Sequence, residues 1–275
     1  MIEKNVPVPM RDGVVLRADL YRPGAPGRYP VLLERTPYGK TLPRMVLDTV
    51  HVLNAVEAGY AVVIQDCRGR FASEGEFVPF LCDIDDGYDT VEWCAAQPWS
   101  NARIGMFGTS YVGATQLLAA TAAPPHLSAI CPVVSAADFH NGWIYEGGAF
   151  RLGFVAAWAA QFLAVPHLDR LPLSPTQRQA ERERLLDGLE RLRRTLSHLP
   201  LAELPLLKLE GLAPYFYDWL MHPDDGEYWR RFNIIAHHDR VAVPALHMGG
   251  WYDLFVAGAL HNFTGLRRHA ATERA

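Results

Sequence analysis

Apolar and polar residues alternate at the start of the chain, as expected for two strands with one buried face. One alternating run covers residues 6–10 and a second covers residues 14–20. Asp12 and Gly13 lie between them, and this pair favours a tight two-residue turn because glycine accepts a positive φ without steric cost. The pattern therefore predicts an antiparallel β-hairpin.

Later apolar runs are continuous and do not alternate. Strands buried on both faces have this pattern, which is typical of a parallel sheet. Helical stretches separate the runs, and this alternation predicts a doubly wound, mostly parallel α/β sheet. The predicted strands include residues 31–33, 61–64, 104–107, 129–134 and 245–248, and the predicted helices cover about 42–57, 83–97, 111–122 and 255–268.

The strand–helix alternation stops in the later part of the chain. Aromatic residues cluster there first, and Ser174-Pro175 then predicts a helix start, since proline at the first helical position loses no needed donor. Leucines recur at three- and four-residue spacing from Leu185 to Leu199, as in an amphipathic helix. We predict a helical cap at residues 141–238, inserted between two parts of the α/β core at residues 1–140 and 239–275.

Composition and charge narrow the class of protein. Of 275 residues, 49% are apolar and 20% are charged, a globular balance that excludes a disordered chain. The net charge of −4 predicts no nucleic-acid or anionic-lipid surface. Neither a membrane-length apolar run nor a secretory signal is visible. Four cysteines without a CxxC pair favour buried thiols, so we expect a cytoplasmic protein.

The clearest candidate for chemistry is Ser110, which follows the predicted strand at residues 104–107. Gly108 precedes it by two residues and a helix-forming stretch follows, which is the context of a nucleophile elbow. The second glycine of the common GxSxG pattern is displaced by one position, to Gly113. The alternative is a glycine-rich strand-to-helix turn whose serine faces solvent.

A serine nucleophile needs an acid and a base, which follow it along the chain in this fold. Asp253 is the best candidate for the acid because it follows the predicted strand at 245–248 and leads into a helix. The alternative for Asp253 is a helix cap. The segment from Asp66 to Arg70 is predicted to be a structural turn with an internal ion pair, and Cys67 within it has no histidine nearby in sequence.

Five segments together resemble the cocaine esterase and X-prolyl dipeptidyl-peptidase family of α/β-hydrolase-fold serine hydrolases: RDGVVLRADLYRP, RTPYGK, QDCRGRFASEGEF, DGYDTVEWCAAQPWSNARIGMFGTSYVGATQ and GGWYDLF. In that family the elbow has the form GxSYxG, so the displaced glycine is expected. The resemblance implies that Ser110 is the nucleophile and Asp253 the triad acid. It implies two oxyanion donors, the phenol of Tyr38 and the backbone amide of Tyr111, although from the residues alone Tyr38 is a core or rim tyrosine.

The resemblance also suggests, more weakly, that Phe255 and Trp143 shape an acyl or leaving-group pocket. The family's triad histidine follows the acid by a few tens of residues, after one more strand. In this chain His261 and His269 follow Asp253, but both fall in the predicted helix at 255–268 or at its end. We therefore expect the histidine to lie beyond residue 275, and this chain alone to be inactive.

The sequence thus predicts a serine hydrolase that cleaves carboxylic esters or amides through an acyl-enzyme on Ser110. It predicts no cofactor and no metal site, and its expected partner is a small-molecule ester or amide. A sheet that lacks its last strand exposes an edge that can pair with another chain, so a homo-oligomer is one expected possibility. The alternatives are a catalytically silent fold that binds a ligand or partner, and an acyltransferase on the same sheet.

Overall fold

The computed structural model describes residues 1–42 and 50–272. The chain forms two compact units, the first made of residues 1–138 and 231–275 and the second of residues 139–230. The chain therefore leaves the first unit once and later returns to it. A functional division into core and cap, with limits at residues 141 and 238, stays a prediction. In the described part, no helix is long and apolar enough to cross a bilayer.

The first unit is built on a six-stranded sheet. Its strands are β1 (Ile2–Pro9), β2 (Val15–Tyr21), β3 (Tyr29–Thr36), β4 (Ala61–Asp66), β5 (Ser100–Thr109) and β6 (Leu127–Val133), in the order β1-β2-β4-β3-β5-β6. β3 pairs in parallel with β4 and β5, and β5 pairs in parallel with β6, whereas β2 is antiparallel to β1 and β4. Every residue of β4 is buried. The predicted mostly parallel α/β sheet is confirmed.

The amino-terminal hairpin forms as predicted, but its turn is longer than two residues. Pairing between β1 and β2 ends at Pro9 and Val15, so the connection spans residues 10–14. Gly13 takes a positive φ of 87°, while the Asp12 carboxylate accepts a hydrogen bond from the Val14 amide at 3.1 Å. The prediction of a two-residue turn was wrong because Asp12 caps the loop with its side chain, and only the glycine has a positive φ.

Helices connect the strands of the first unit at the predicted places. Within residues 1–42 and 50–272 the α-helices are α1 (Val52–Glu57), α2 (Asp83–Ala96), α3 (Tyr111–Thr121), α4 (Leu152–Trp158), α5 (Val165–His167), α6 (Pro175–Glu190), α7 (Leu192–Thr195), α8 (Pro214–Met221), α9 (Glu227–Arg230) and α10 (Val256–His269). Of the helix predicted at 42–57, residues 43–49 lie outside the described residues. Helix α3 is buried on all sides, and accordingly it carries no charged side chain.

The apolar run at 245–248 differs from the predicted buried strand. It forms two isolated parallel bridges with β6, Ile130 to Ala245 and Val133 to Met248. Leu246 and Met248 are 63% and 48% exposed. The run therefore extends the sheet beyond β6 with one side exposed, so the prediction of a strand buried on both faces was wrong here.

The second unit is mainly helical. It contains the short hairpin of β7 (Tyr145–Glu146) and β8 (Ala149–Phe150), the helices α4 to α9, and a π-helix at Ala159–Ala164. The start of α6 was predicted correctly: Ser174 accepts from the Gln177 amide and Gln177 bonds back to the Ser174 amide, forming a capping box. The helix ends at Glu190, so the leucine spacing does not continue as one helix to Leu199.

The segment from Asp66 to Arg70 is a structural turn, as predicted, but its ion pairs run to other segments. Gly69 has a φ of +67°, and a Cβ there would lie 2.2 Å from the Phe77 nitrogen. Asp66 pairs with Lys40 at 3.5 Å, and Arg68 pairs with Asp86 and Asp12. The prediction of an internal ion pair was wrong because the charged side chains of the turn pair with residues outside it, which lie in the loops at Asp12 and Lys40 and on α2 at Asp86. All four cysteines are free thiols.

Candidate active site

Ser110 sits in a strained bend between β5 and α3. Its backbone has φ 63° and ψ −122°, a region that costs a non-glycine residue about 1–3 kcal/mol and persists only where surrounding contacts impose it. Its amide donates to the Val133 carbonyl at 2.9 Å, and its own carbonyl accepts from Gly113 and Ala114 at 2.8 and 3.0 Å. The bend therefore joins β5, β6 and the first turn of α3, as the predicted nucleophile elbow requires.

The two glycines around Ser110 are required by close contacts. Gly108 has a φ of +130°, and a Cβ there would lie 2.2 Å from Cγ1 of Val112. A Cβ at Gly113 would lie 2.9 Å from Cβ of Ser135 and 3.2 Å from the Val133 oxygen. The glycine one position later than in GxSxG thus lets α3 approach the end of β6.

The buried side chain of Gln116 forms hydrogen bonds with the backbone around the same bend. Nε2 of Gln116 donates to the carbonyls of Gly108 and Val112 at 3.1 and 3.0 Å. Its Oε1 accepts from the Cys131 amide at 2.9 Å. One side chain of α3 therefore satisfies backbone groups of β5 and β6, which limits the freedom of the bend that carries Ser110.

The sheet register brings Asp253 to the edge that carries Ser110. Thr109 lies opposite Val133, and Val133 lies opposite Met248, with the Val134 amide donating to Met248 at 2.8 Å. Parallel strands end at one edge, and neighbours are about 4.8 Å apart. Residues 249–255 follow Met248 at that edge. The Asp253 carboxylate accepts from the Phe255 amide at 2.7 Å, so Asp253 also supports the start of α10.

Tyr38 follows β3, the strand on the other side of β5, and its loop is anchored at both ends. The Tyr38 amide donates to Oγ1 of Thr36 at 3.1 Å, and the Lys40 amide donates to Asp66 at 2.7 Å. Nε of Arg70 donates to the Pro37 carbonyl at 2.8 Å. The Tyr38 side chain is 7% exposed. The loop thus holds Tyr38 at the carboxyl end of β3, at the edge that carries Ser110.

Tyr111 directly follows Ser110 and also contacts Tyr38. It is the first residue of α3, where backbone N–H groups point out of the helix end and favour negative charge. Its fully buried ring makes an edge contact with the Tyr38 ring, at 6.3 Å between centroids and 72° between planes. The structure therefore places the rings of Tyr38 and Tyr111 in contact, and their role as oxyanion donors stays a prediction.

The histidines of the first unit do not complete a triad. Within the described residues, none of them is hydrogen-bonded to Ser110 or Asp253. His261 and His269 lie on α10 and are exposed. His247 lines a cavity of about 270 Å³ with α10 side chains, and burial lowers its pKa to about 4.

The two predicted pocket aromatics lie in different units, and both are buried. Phe255 is 4% exposed and precedes α10. Trp143 has no exposed surface and packs against Phe139 and Trp158, with centroids 5.9 and 5.4 Å apart. Such burial indicates packing in a core, so their part in substrate binding stays a prediction.

Sequence reasoning missed a buried polar network around Tyr111. Its hydroxyl donates to Oδ2 of Asp83 at 2.8 Å and accepts from the Phe80 amide at 2.7 Å. Arg35 donates from Nη1 to Oδ1 of Asp83 at 3.0 Å and from Nε to Gln65 at 2.8 Å. Burial raises the pKa of the Tyr111 phenol, which therefore stays protonated. The available signal was Arg35 itself, a charged residue of β3 that follows the apolar run at 31–33 by two positions.

Metal ligation has no support in the described part of the chain. Residues 1–42 and 50–272 contain no group of three or more His, Cys, Asp or Glu side chains placed to hold an ion. Burial raises the pKa of the Cys67 thiol well above its ordinary value, so Cys67 is poorly suited to nucleophilic chemistry.

Comparison with known proteins gives a consistent result. The chain is 40% identical to cocaine esterase from Rhodococcus sp. (strain MB1 Bresler) over 272 residues, which is 98% of this chain and 47% of that protein. It therefore spans about half the length of that relative.

Solved structures share its fold. An aminopeptidase from a marine sediment archaeon (Thaumarchaeota) superposes with a TM-score of 0.72 at 23% identity, covering 98% of this chain and 46% of that one. A CocE/NonD family hydrolase from Staphylococcus aureus gives 0.71 at 22% identity, covering 99% and 45%. These neighbours confirm the predicted α/β-hydrolase fold. Residues 12–273 match the X-Pro dipeptidyl-peptidase family S15, and the chain belongs to this family.

Proposed function

We propose that this chain carries the nucleophile, the acid and the oxyanion donors of a serine hydrolase that cleaves carboxylic esters or amides. The observation that carries the proposal is the strained bend at Ser110, at the carboxyl edge of the sheet, with the Tyr38 loop on one side and Asp253 on the other. Backbone strain of this kind clusters at active sites. The S15 family and its cocaine esterase member support the same class of reaction.

The reaction follows from these groups. Oγ of Ser110 attacks the carbonyl carbon of the substrate while a base removes its proton, and the carbonyl π electrons move to the oxygen. The amide of Tyr111 and the phenol of Tyr38 donate to that oxyanion, and one such donor is typically worth about 10²–10³ in kcat. Collapse expels the alcohol or amine, which takes up the proton. Water then hydrolyses the acyl-enzyme by the same steps.

The proposal places the base, a histidine, outside the 275 residues. His261 and His269 lie on α10, and a helix that begins at the edge of the sheet carries its later residues away from that edge by about 1.5 Å per residue. The experiment on this point is direct. If purified residues 1–275 hydrolysed a p-nitrophenyl ester and lost that activity in Ser110→Ala, the base would have to be within the chain.

Labelling with a fluorophosphonate probe tests the nucleophile in the protein that contains this chain. We expect a covalent adduct on Ser110 and its loss in Ser110→Ala. Ser128→Ala is the matched control, because Ser128 is a half-buried serine on β6 outside the site. An adduct on another residue would overturn the assignment of Ser110, and no adduct at all would favour the catalytically silent fold. Product analysis with an added alcohol acceptor separates hydrolysis from acyl transfer.

Asp253 has two candidate roles that one pair of variants separates. Asp253→Asn keeps an oxygen that can accept from the Phe255 amide, whereas Asp253→Ala removes this hydrogen bond, which is typically worth about 0.5–1.5 kcal/mol. If Asp253 is the triad acid, both variants lose kcat, and only the alanine variant also loses thermal stability. Full activity in Asp253→Asn would leave Asp253 with a structural role alone.

A further inference from the structure

The side chain of Tyr111 is held by hydrogen bonds at its hydroxyl and by packing of its ring. Its hydroxyl has two partners of opposite kind, the carboxylate of Asp83 at 2.8 Å and the amide of Phe80 at 2.7 Å. Its ring stacks on Phe80, with centroids 4.8 Å apart and 21° between planes. The Tyr111 side chain has no exposed surface. Both its position and its rotation about the ring axis are therefore defined.

Asp83 is itself fixed by a buried cation. Nη1 of Arg35 donates to Oδ1 and to the backbone carbonyl of Asp83 at 3.0 and 3.2 Å, and Nη2 lies 3.7 Å from Asp86. Arg35 has no exposed surface, and Asp83 and Asp86 are 4% and 1% exposed. Gln65 accepts from Nε of Arg35 and from Thr90. The network thus joins β3, β4 and the first turn of α2 to Tyr111.

Such a network is a poor way to stabilise a fold. Removing charges from water costs several kcal/mol for each ion, and apolar residues of similar volume often give equal or greater stability. What the network supplies is geometry, because its hydrogen bonds connect Gln65, Arg35, Asp83 and Tyr111 in series.

Tyr111 is well placed to use that geometry. Its backbone amide begins α3 one residue after Ser110, and its ring makes the edge contact with Tyr38. One residue therefore carries the first predicted oxyanion donor on its backbone and contacts the residue of the second with its ring. A shift of about 1 Å in a catalytic group can cost about 10² in rate.

We propose that the phenol of Tyr111, anchored by Asp83 and Arg35, is a positioning group that sets the placement of both oxyanion donors. This inference rests on the proposed function. The phenol does not touch the substrate. It acts through the Tyr111 amide and the Tyr38 ring, and those donors matter most when negative charge has developed in the transition state.

The test compares two tyrosine-to-phenylalanine variants in the protein that contains this chain, with a p-nitrophenyl ester as substrate. Tyr111→Phe keeps the ring packing and removes both hydroxyl bonds. Tyr21→Phe is the matched control, since Tyr21 is a buried tyrosine on β2 whose hydroxyl accepts from Lys4. We expect Tyr111→Phe to lower kcat by about 10-fold to 100-fold with KM changed less than about twofold, and Tyr21→Phe to keep kcat.

A merely structural role would change other quantities. It would lower the melting temperature of both variants and leave kcat per folded molecule unchanged. If Tyr111→Phe does not fold, Asp83→Asn gives a second measurement, because it keeps the shape of the side chain and removes the charge that Arg35 fixes. We expect the same selective loss of kcat, with a smaller magnitude. Wild-type kcat in whichever of these variants folds would overturn the inference.

Ser110→Ala separates failure of this inference from failure of the proposed function. If Ser110→Ala keeps full activity, the serine hydrolase proposal fails and this inference fails with it. If Ser110→Ala is inactive while Tyr111→Phe matches the wild type, the hydrolase proposal stands and only the positioning role is lost.

Discussion

Replacing Gly108 by alanine perturbs the bend at its tightest point. The added Cβ would lie 2.2 Å from Cγ1 and 2.9 Å from Cβ of Val112, and the backbone φ is +130°. The left-handed backbone contributes about 1–2 kcal/mol of destabilisation, and overpacking contributes about 1–3 kcal/mol. We therefore expect Gly108→Ala to lower the free energy of unfolding by about 2–5 kcal/mol in total.

Gly59 provides a control that isolates the backbone contribution. It has a φ of +89°, and a Cβ there would meet nothing within 4 Å. Gly59→Ala should therefore cost about 1–2 kcal/mol, with no contribution from overlap. In a Val112→Ala background, the cost of Gly108→Ala should fall toward that of Gly59→Ala, because the nearest atom at Val112 has been removed.

Urea unfolding followed by circular dichroism measures the free energy of unfolding of Gly108→Ala, Gly59→Ala, Val112→Ala and the variant that combines Gly108→Ala with Val112→Ala. The comparison holds when the slope m is the same for all four. The contact argument would be refuted if Gly108→Ala and Gly59→Ala agreed within about 0.5 kcal/mol, the usual range of a harmless substitution. It would also be refuted if Val112→Ala left the cost of Gly108→Ala undiminished.

Three further substitutions test other parts of the first unit by urea unfolding. Burial lowers the pKa of His247 to about 4, so its neutral form stabilises the fold above the unfolded value near 6.5, and that contribution falls as the pH drops toward 4. We expect His247→Gln to lose about 2 kcal/mol less than the wild type between pH 7 and pH 4.5, and equal losses would contradict this. Gly258→Ala places a Cβ 2.6 Å from Cα of Ala136 and should cost about 1–3 kcal/mol, whereas a neutral result would mean that α10 can shift. Lys40→Met removes the cation that lies 3.5 Å from the buried carboxylates of Asp19 and Asp66, and Asp19 keeps its pair with Lys4 at 2.8 Å. We expect a loss of about 3–5 kcal/mol at pH 7 and a smaller loss at pH 4, because burial raises the pKa of Asp66, which then carries less uncompensated charge. An equal loss at both pH values would argue against the ion pair with Asp66.

Much of the sheet could be predicted because burial on both faces leaves a simple signal. The runs that became β3, β4, β5 and β6 are apolar throughout their centres, and the helices between them are continuous enough to recognise. The run at 245–248 shows the limit of that signal. Its composition matches a central strand, yet Leu246 is 63% exposed, because periodicity reports the character of a segment and not the number of neighbours it finds.

The candidate site divides in the same way. Ser110 follows β5 and Asp253 follows the bridged run at 245–248, so a single rule about parallel edges predicts both at one edge of the sheet. The contact between Tyr38 and Tyr111 depends on the loop after β3 and on ring orientation, and only the resemblance to the S15 family brought Tyr38 into the prediction. The anchor of Tyr111 on Asp83 could not be predicted, because the residues are 28 positions apart and their pairing follows from the packing of α2 against α3.

The pairing of Val133 with Met248 has a consequence for the order of folding. It closes a loop of about 115 residues, at an entropic cost of about 4 kcal/mol for a flexible chain. If residues 139–230 fold first as the compact second unit, the flexible length falls to roughly 20 residues and the cost drops by about 1.5 kcal/mol, or roughly tenfold in closure probability. We therefore expect the pairing of Val133 with Met248 to form after the other contacts of the sheet. During refolding, pulsed hydrogen exchange should protect the amide of Met248 after that of Met106 on β5.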